Sequence, residues 1–146
     1  MRINLVYILL IIDLLLLTTE LSAQSLKTDT VQVGESRLSI NLPLRRKKNI
    51  TNYEEGIFID YIFKNGAIIT LFSGSNQKLP LLDKEKGYFP TIKKEVKHGI
   101  STMGMLNGKY WREDSCDCIR ILYDNVGSEE RRIFDYILDS IHIIKE

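Results

Sequence analysis

The chain has little of what catalytic or covalently stapled proteins are built from: 2 cysteines, 2 histidines, 1 tryptophan and 3 prolines in 146 residues. Two cysteines cannot form the disulfide framework of a small secreted scaffold. The two histidines stand without a His-Glu-x-x-His pair, a serine elbow or a phosphate-cradling glycine loop, so no hydrolase, metalloprotease or nucleotide-binding motif is present. Few prolines and 9 glycines argue against disorder and low complexity. An excess of one charge is missing too: the formal net charge is +1, which selects no partner. A membrane-length apolar run is also missing. Leu5–Leu17, interrupted by Asp13, is too short for a bilayer that needs about 20 residues.

That short run nevertheless has a function of its own. Arg2 precedes it and a more polar Thr18–Gln24 follows, the layout of a cleavable secretory signal peptide over residues 1–23. Ala23 is a small residue at the junction, and cleavage after Ser25 fits the small-residue rule as well. No cysteine follows the run, which disfavours a lipoprotein anchor. The Leu21-Ser-Ala-Gln24 junction resembles those of small secreted Bacteroidetes proteins, which implies the periplasm or beyond. The remaining residues 24–146 carry 19 basic and 17 acidic side chains and no repeat or linker, so they are expected to form a single domain.

Turn chemistry and periodicity predict an α+β domain, an antiparallel β-sheet meander packed against a C-terminal amphipathic helix. Asn65-Gly66 separates Ile57–Lys64 from Ala67–Ser73 and predicts a hairpin with a two-residue type I′ loop, placing Phe63 against Ile68, Tyr61 against Thr70 and Ile59 against Phe72. Asn107-Gly108 predicts a second hairpin in which Gly104 faces Trp111, leaving room for the indole over the neighbouring backbone. A polar turn at Asp114–Cys116 then leads into a strand over Asp117–Asp124. Gly34-Glu35 marks a shorter hairpin between Val31–Val33 and Arg37–Leu42. Ile133, Phe134, Ile137, Leu138 and Ile141 recur at helical spacing, with Ser128 as the expected N-cap, over about Glu129–Ser140. Thr91–Lys97 reads equally as strand or short helix.

The opening Leu38-Ser-Ile-Asn-Leu-Pro43 and closing Phe134-Asp-Tyr-Ile-Leu-Asp-Ser-Ile141 resemble the ends of PsbP/Mog1-like domains. The resemblance spans most of residues 24–146 and implies a binding or assembly factor. It assigns no role to individual residues, since members share no catalytic set.

Three groups of residues carry candidate chemistry. Cys116 and Cys118 admit a strained disulfide of redox-active type, metal binding with His98 or His142, or a bridged turn of purely structural purpose; the structural reading is preferred because a lone Cys-x-Cys lacks a second ligand pair. Arg45, Arg46, Lys47 and Lys48 form a basic run, expected in a loop, that suits an anionic surface or acidic partner; without interleaved aromatics it does not suit single-stranded nucleic acid. Tyr110, Trp111 and Arg112, with Arg120 expected opposite Trp111, form either sheet packing or a partner-binding cluster. Adjacent carboxylates at Glu54-Glu55 and Glu113-Asp114 point to opposite faces if they lie in strands, which disfavours glycosidase chemistry.

The sequence thus points to a non-enzymatic exported binding module with no cofactor, metal or nucleic-acid partner. It would engage a protein or envelope component and would not be an integral membrane protein after processing. Two alternatives are a periplasmic immunity protein that neutralises a toxin and a thiol-redox protein using Cys116 and Cys118.

Overall fold

The computed structural model describes residues 25–75, 80–97, 99–116 and 119–144. The expected signal peptide, His98 and Cys118 lie outside the described residues.

Strands β1 (Leu26–Val33) and β2 (Ser36–Pro43) pair antiparallel about Gly34-Glu35, with Val33 opposite Ser36. Gly34 adopts φ +59, which the tight connection requires and glycine supplies without steric cost. This hairpin is longer than the sequence suggests. It does not join the meander but forms a three-stranded sheet of its own with the last strand, β10 (His142–Ile144).

The other strands are β3 (Arg46–Tyr53), β4 (Gly56–Phe63), β5 (Ile68–Gly74), β6 (Pro90–Val96), β7 (Gly99–Leu106), β8 (Lys109–Cys116) and β9 (Arg120–Val126). They form a seven-stranded sheet in the order β3-β4-β5-β9-β8-β7-β6, with every pairing antiparallel. One helix, α1 (Arg131–Asp139), lies between β9 and β10.

The expected α+β class is therefore corrected. Strands take 64% of the described residues and helices 11%, so the fold is sheet-dominated, with one short helix serving two sheets. The sequence underestimates strand content for a physical reason. Both edge strands of the large sheet are largely solvent-exposed, so neither β3 nor β6 shows the apolar alternation that marks a half-buried strand.

The core lies between the two sheets. Val31, Val33, Leu38, Ile40 and Leu42 of the small sheet meet Ile59, Tyr61, Phe63, Ile69, Leu71, Ile121 and Tyr123 of the large one. The helix closes the rest with Phe134, Ile137 and Leu138, followed by Ile141, each worth roughly 1.5–3 kcal/mol when fully buried. That stripe is as the spacing predicts. The cap is not: Glu130 occupies the N-cap position, and the Glu130 and Arg131 N–H groups donate to the Gly127 carbonyl.

The hairpins test the turn reading in detail. At Asn107-Gly108 both residues take positive φ (52 and 75), and Gly104 faces Trp111 as expected. A β-carbon at Gly104 would stand 2.8 Å from the indole ring and 2.6 Å from the Phe89 carbonyl oxygen, so only glycine fits. At Asn65-Gly66 the hairpin forms but its register differs by one residue. Phe63 N–H donates to Ala67 O and Gly66 N–H to Phe63 O, each at 3.0 Å, which makes a three-residue loop with Gly66 at φ +85. Tyr61 consequently faces Ile69 and Ile59 faces Leu71, and the expected partners Thr70 and Phe72 fall on the opposite face.

Candidate functional site

The seven-stranded sheet holds a buried ion network on each face, and both originate in one dipeptide of β8. Glu113 and Asp114 point to opposite faces, as strand geometry requires of neighbours.

On the face beneath α1, Asp114 grips Arg112 two residues away. Arg112 Nε donates to Asp114 Oδ1 at 2.8 Å and Nη2 to Asp114 Oδ2 at 2.7 Å, a bidentate pair. The same guanidinium reaches Asp139 Oδ1 at 2.6 Å, Ser101 Oγ at 3.1 Å and Asp135 Oδ1 at 3.5 Å. Asp135 and Asp139 sit one helical turn apart on the sheet-facing edge of α1, so a single buried arginine ties β7, β8 and the helix together. Tyr123 on β9 donates its hydroxyl to Asp135 at 2.8 Å. Burial works against the Arg112 charge, yet the hydrogen bonds and charges of Asp114 and then Asp139 outweigh it and hold the guanidinium above its ordinary pKa. Burial, then the Asp135 hydrogen bond and charge, push the Tyr123 phenol above its usual range. A cleft of about 240 Å³ borders this network, lined by Lys97, Cys116 and Asp139 among apolar neighbours.

On the other face, Glu113 Oε1 accepts from Arg120 Nη1 at 2.7 Å. The same carboxylate accepts the backbone N–H groups of Leu81 and Leu82 at 3.0 and 2.9 Å. These bonds hold a strap, residues 80–89, across the sheet. Tyr88 on the strap donates its hydroxyl to Asp124 at 2.6 Å and meets Trp111 edge-on, ring centroids 5.7 Å apart. Burial, then the hydrogen bond to Asp124, push the Tyr88 phenol up to about 12. Among the described residues, the buried Trp111 Nε1 has no acceptor.

The structure therefore places Trp111, Arg112 and Arg120 inside the fold, with Tyr110 half-buried beside them. Arg112 and Trp111 are each 1% exposed, and Arg120 is buried. Arg131 stacks on the Tyr110 ring, 4.4 Å from its centroid. The expected register is corrected: β8 runs through Cys116, whose N–H donates to Ile119 O, so Ser115 and not Trp111 stands opposite Arg120. The predicted polar turn at Asp114–Cys116 fails because Asp114 is a strand residue bound to Arg112. Cys116 is half-buried beside the smaller cleft, while its expected partner Cys118 falls outside the described residues. His142 is exposed on β10.

The basic run is also relocated. Arg46, Lys47 and Lys48 belong to edge strand β3, not to a loop, and alternate between faces. Arg46 Nη2 pairs with Asp29 at 3.3 Å, Arg46 Nη1 donates to Pro43 O at 2.7 Å, and the Arg46 and Lys48 cations sit over the Tyr61 ring at 5.6 and 5.5 Å. Tyr61, buried and facing Asp29, has its phenol pushed above the ordinary range, chiefly by desolvation. Lys47 faces solvent on the other side, consistent with charged side chains blunting a sheet edge. Arg45 alone reaches a larger cleft of about 480 Å³, where it joins Leu44, Phe63, Lys64, Glu130 and Phe134.

Sequence reasoning missed Asp114, Asp135, Asp139 and Glu113 as charge partners. The spacing Asp135-x-x-x-Asp139 was the available signal, since it puts two carboxylates on one edge of a predicted helix.

Among the described residues no helix is long and apolar enough to cross a membrane. No protein-family model matches the chain, and no curated protein or solved structure matches it, so the PsbP/Mog1-like resemblance stands where the sequence left it and function rests on this geometry.

Proposed function

We propose that the protein is a non-enzymatic binding module of the cell envelope, exported under the direction of residues 1–23, which engages a protein or envelope component through the segment just before β3. The observation that carries this reading is the 480 Å³ cleft at that point. Phe63 and Phe134 give it an apolar wall, Leu44 stands 57% exposed on its rim, and Arg45 and Lys64 place cations beside that leucine. An apolar hollow with a few charged groups on its rim suits an amphipathic, anionic partner. Glu130 in the same cleft accepts from the Asn65 side-chain amide, so the lining sets two cations against one carboxylate and keeps a positive balance.

The buried networks support binding over catalysis. Arg112 is held by three carboxylates and Arg120 by Glu113, and each tyrosine with a raised pKa donates to a carboxylate of the fold.

A photo-reactive residue at Leu44, introduced in the producing cell, tests the reading. A discrete adduct recovered from the envelope fraction, and lost when Arg45 and Lys64 are both changed to Glu, is the expected result; a toxin in that adduct would select the immunity role. The proposal fails if position 44 yields no more adduct than position 54, at the far turn of the same hairpin. It fails equally if the chain accumulates in the cytosol with residues 1–23 attached.

A further inference from the structure

We infer that the outer edge of β6 pairs with β6 of a second copy of this chain, joining two seven-stranded sheets into one across a two-fold axis. The edge lies at the opposite end of the sheet from the basic cleft, so this inference does not depend on the binding role assigned there.

Among the described residues β6 pairs only with β7 and, at the end of the strand order, leaves its outer backbone groups unpaired within the sheet. It is also uncovered on both faces: Pro90 to Glu95 are all exposed. Large apolar side chains remain in water here, with Phe89 61%, Ile92 46% and Ile100 41% exposed. An open edge is a template for a further strand; Pro90, the irregularity after it and the lysines of β6 blunt that edge against partners in general, so any strand that pairs here must complement its charges.

The sequence of β6 identifies the occupant. In an antiparallel ladder, residues alternate between those that exchange both backbone bonds with a neighbour and those turned to the other side. A symmetric pair of β6 strands must match residues of one class, so the axis passes through a residue and not between two. Centred on Lys94, the pairing sets Lys93 against Glu95 of the second copy, twice, on one face. On the other face it sets Ile92 against Val96 of the second copy, also twice. Opposite charges and apolar pairs directly across a sheet both stabilise it. Centred on Glu95, the same strand would put Lys93 against Lys97, a like-charge pair. Centred on Lys93, it would put Ile92 against Lys94. The Lys94 register alone is self-complementary at both flanking positions. Its unfavourable element is Lys94 facing its own copy, which makes association reversible and supplies a test.

The test is sedimentation equilibrium on the protein purified as it accumulates in the cell. Wild type is expected to dimerise with rising concentration. Lys94→Thr, which removes the central repulsion, is expected to lower Kd by about tenfold, while Glu95→Lys raises it by about tenfold or more. The charge-swapped double variant Lys93→Glu/Glu95→Lys restores dimerisation, because each opposite-charge pair is rebuilt in reverse. These side chains are exposed, and a circular dichroism spectrum like that of wild type confirms that each variant is folded. Wild type and Lys94→Thr that both stay monomeric would overturn the inference. So would a dimer indifferent to Glu95→Lys, or a double variant that fails to recover.

Discussion

Glu113 and Asp114 are neighbours in the chain and strangers in the structure. Asp114 works through an arginine two residues away to hold a helix that follows later in the chain. Glu113 works through Arg120 and two backbone amides to hold a strap that precedes it. The first network is a cation surrounded by three carboxylates, with Asp139 57% exposed. The second sets the Glu113 carboxylate against the Arg120 guanidinium, both nearly inaccessible to water. Burying charge rarely adds net stability over a well-packed apolar pair, but removing one partner leaves the other stranded at high cost. The two faces thus predict different kinds of damage: on one, the helix loses its anchor; on the other, the strap comes loose.

The largest effect is expected from Arg112→Ala. It leaves Asp114 buried and uncompensated beside Asp135 and Asp139, and a loss of about 5 kcal/mol is a third or more of the roughly 5–15 kcal/mol that stabilises a domain. Denaturant titration should find the midpoint far below that of wild type, with helix lost before the sheet. Glu113→Ala comes next, at about 3 kcal/mol, because Arg120 and the amides of Leu81 and Leu82 lose their acceptor together. Here the native far-ultraviolet spectrum should persist while Trp111 fluorescence shifts to the red, since the strap that shields the indole is released. Equal loss of helix in both variants would break the comparison.

Tyr88→Phe is expected to cost about 1 kcal/mol at neutral pH through the lost hydrogen bond to Asp124. Its pH signature is more specific. The phenol ionises near 10 when unfolded and at about 12 in the fold, so its share of stability is complete below pH 10 and disappears as pH rises from 10 to about 12. Wild type should therefore lose more stability than the variant across that window in alkaline denaturation curves. The smallest effect belongs to Asp139→Asn, about 0.5 kcal/mol, because solvent screens an aspartate that exposed. A penalty as large as that of Arg112→Ala would show that Asp139, and not Asp114, carries the helix network.

How much of this could be read beforehand depended on how local the determining interactions are. The loop at Asn107-Gly108 fixes its own register, so the Gly104–Trp111 pairing was legible from the sequence. The loop at Asn65-Gly66 is legible as a turn, but Gly66 takes positive φ there and Asn65, unlike Asn107, does not, so the loop holds three residues and the one-residue shift exchanges the faces of β5. Strand β3 stayed hidden because Arg46–Tyr53 is an exposed edge and reads as polar loop. The small sheet stayed hidden because β10 has only 3 residues and finds its partner, β2, at the other end of the chain. The ion networks were least legible of all. Extending the ladder from the Asn107-Gly108 turn sets Arg120 against Trp111, but β8 continues to Cys116 and the register shifts between Tyr110 and Arg112.

Native-state hydrogen exchange on paired variants tests most directly the claim that neighbouring carboxylates govern separate faces. In Glu113→Gln the Leu81 and Leu82 amides should lose their protection while the amides of α1 keep theirs, and in Asp114→Asn the pattern should reverse. Loss of protection at both places in both variants would contradict it, because the strap and the helix would then open as one unit.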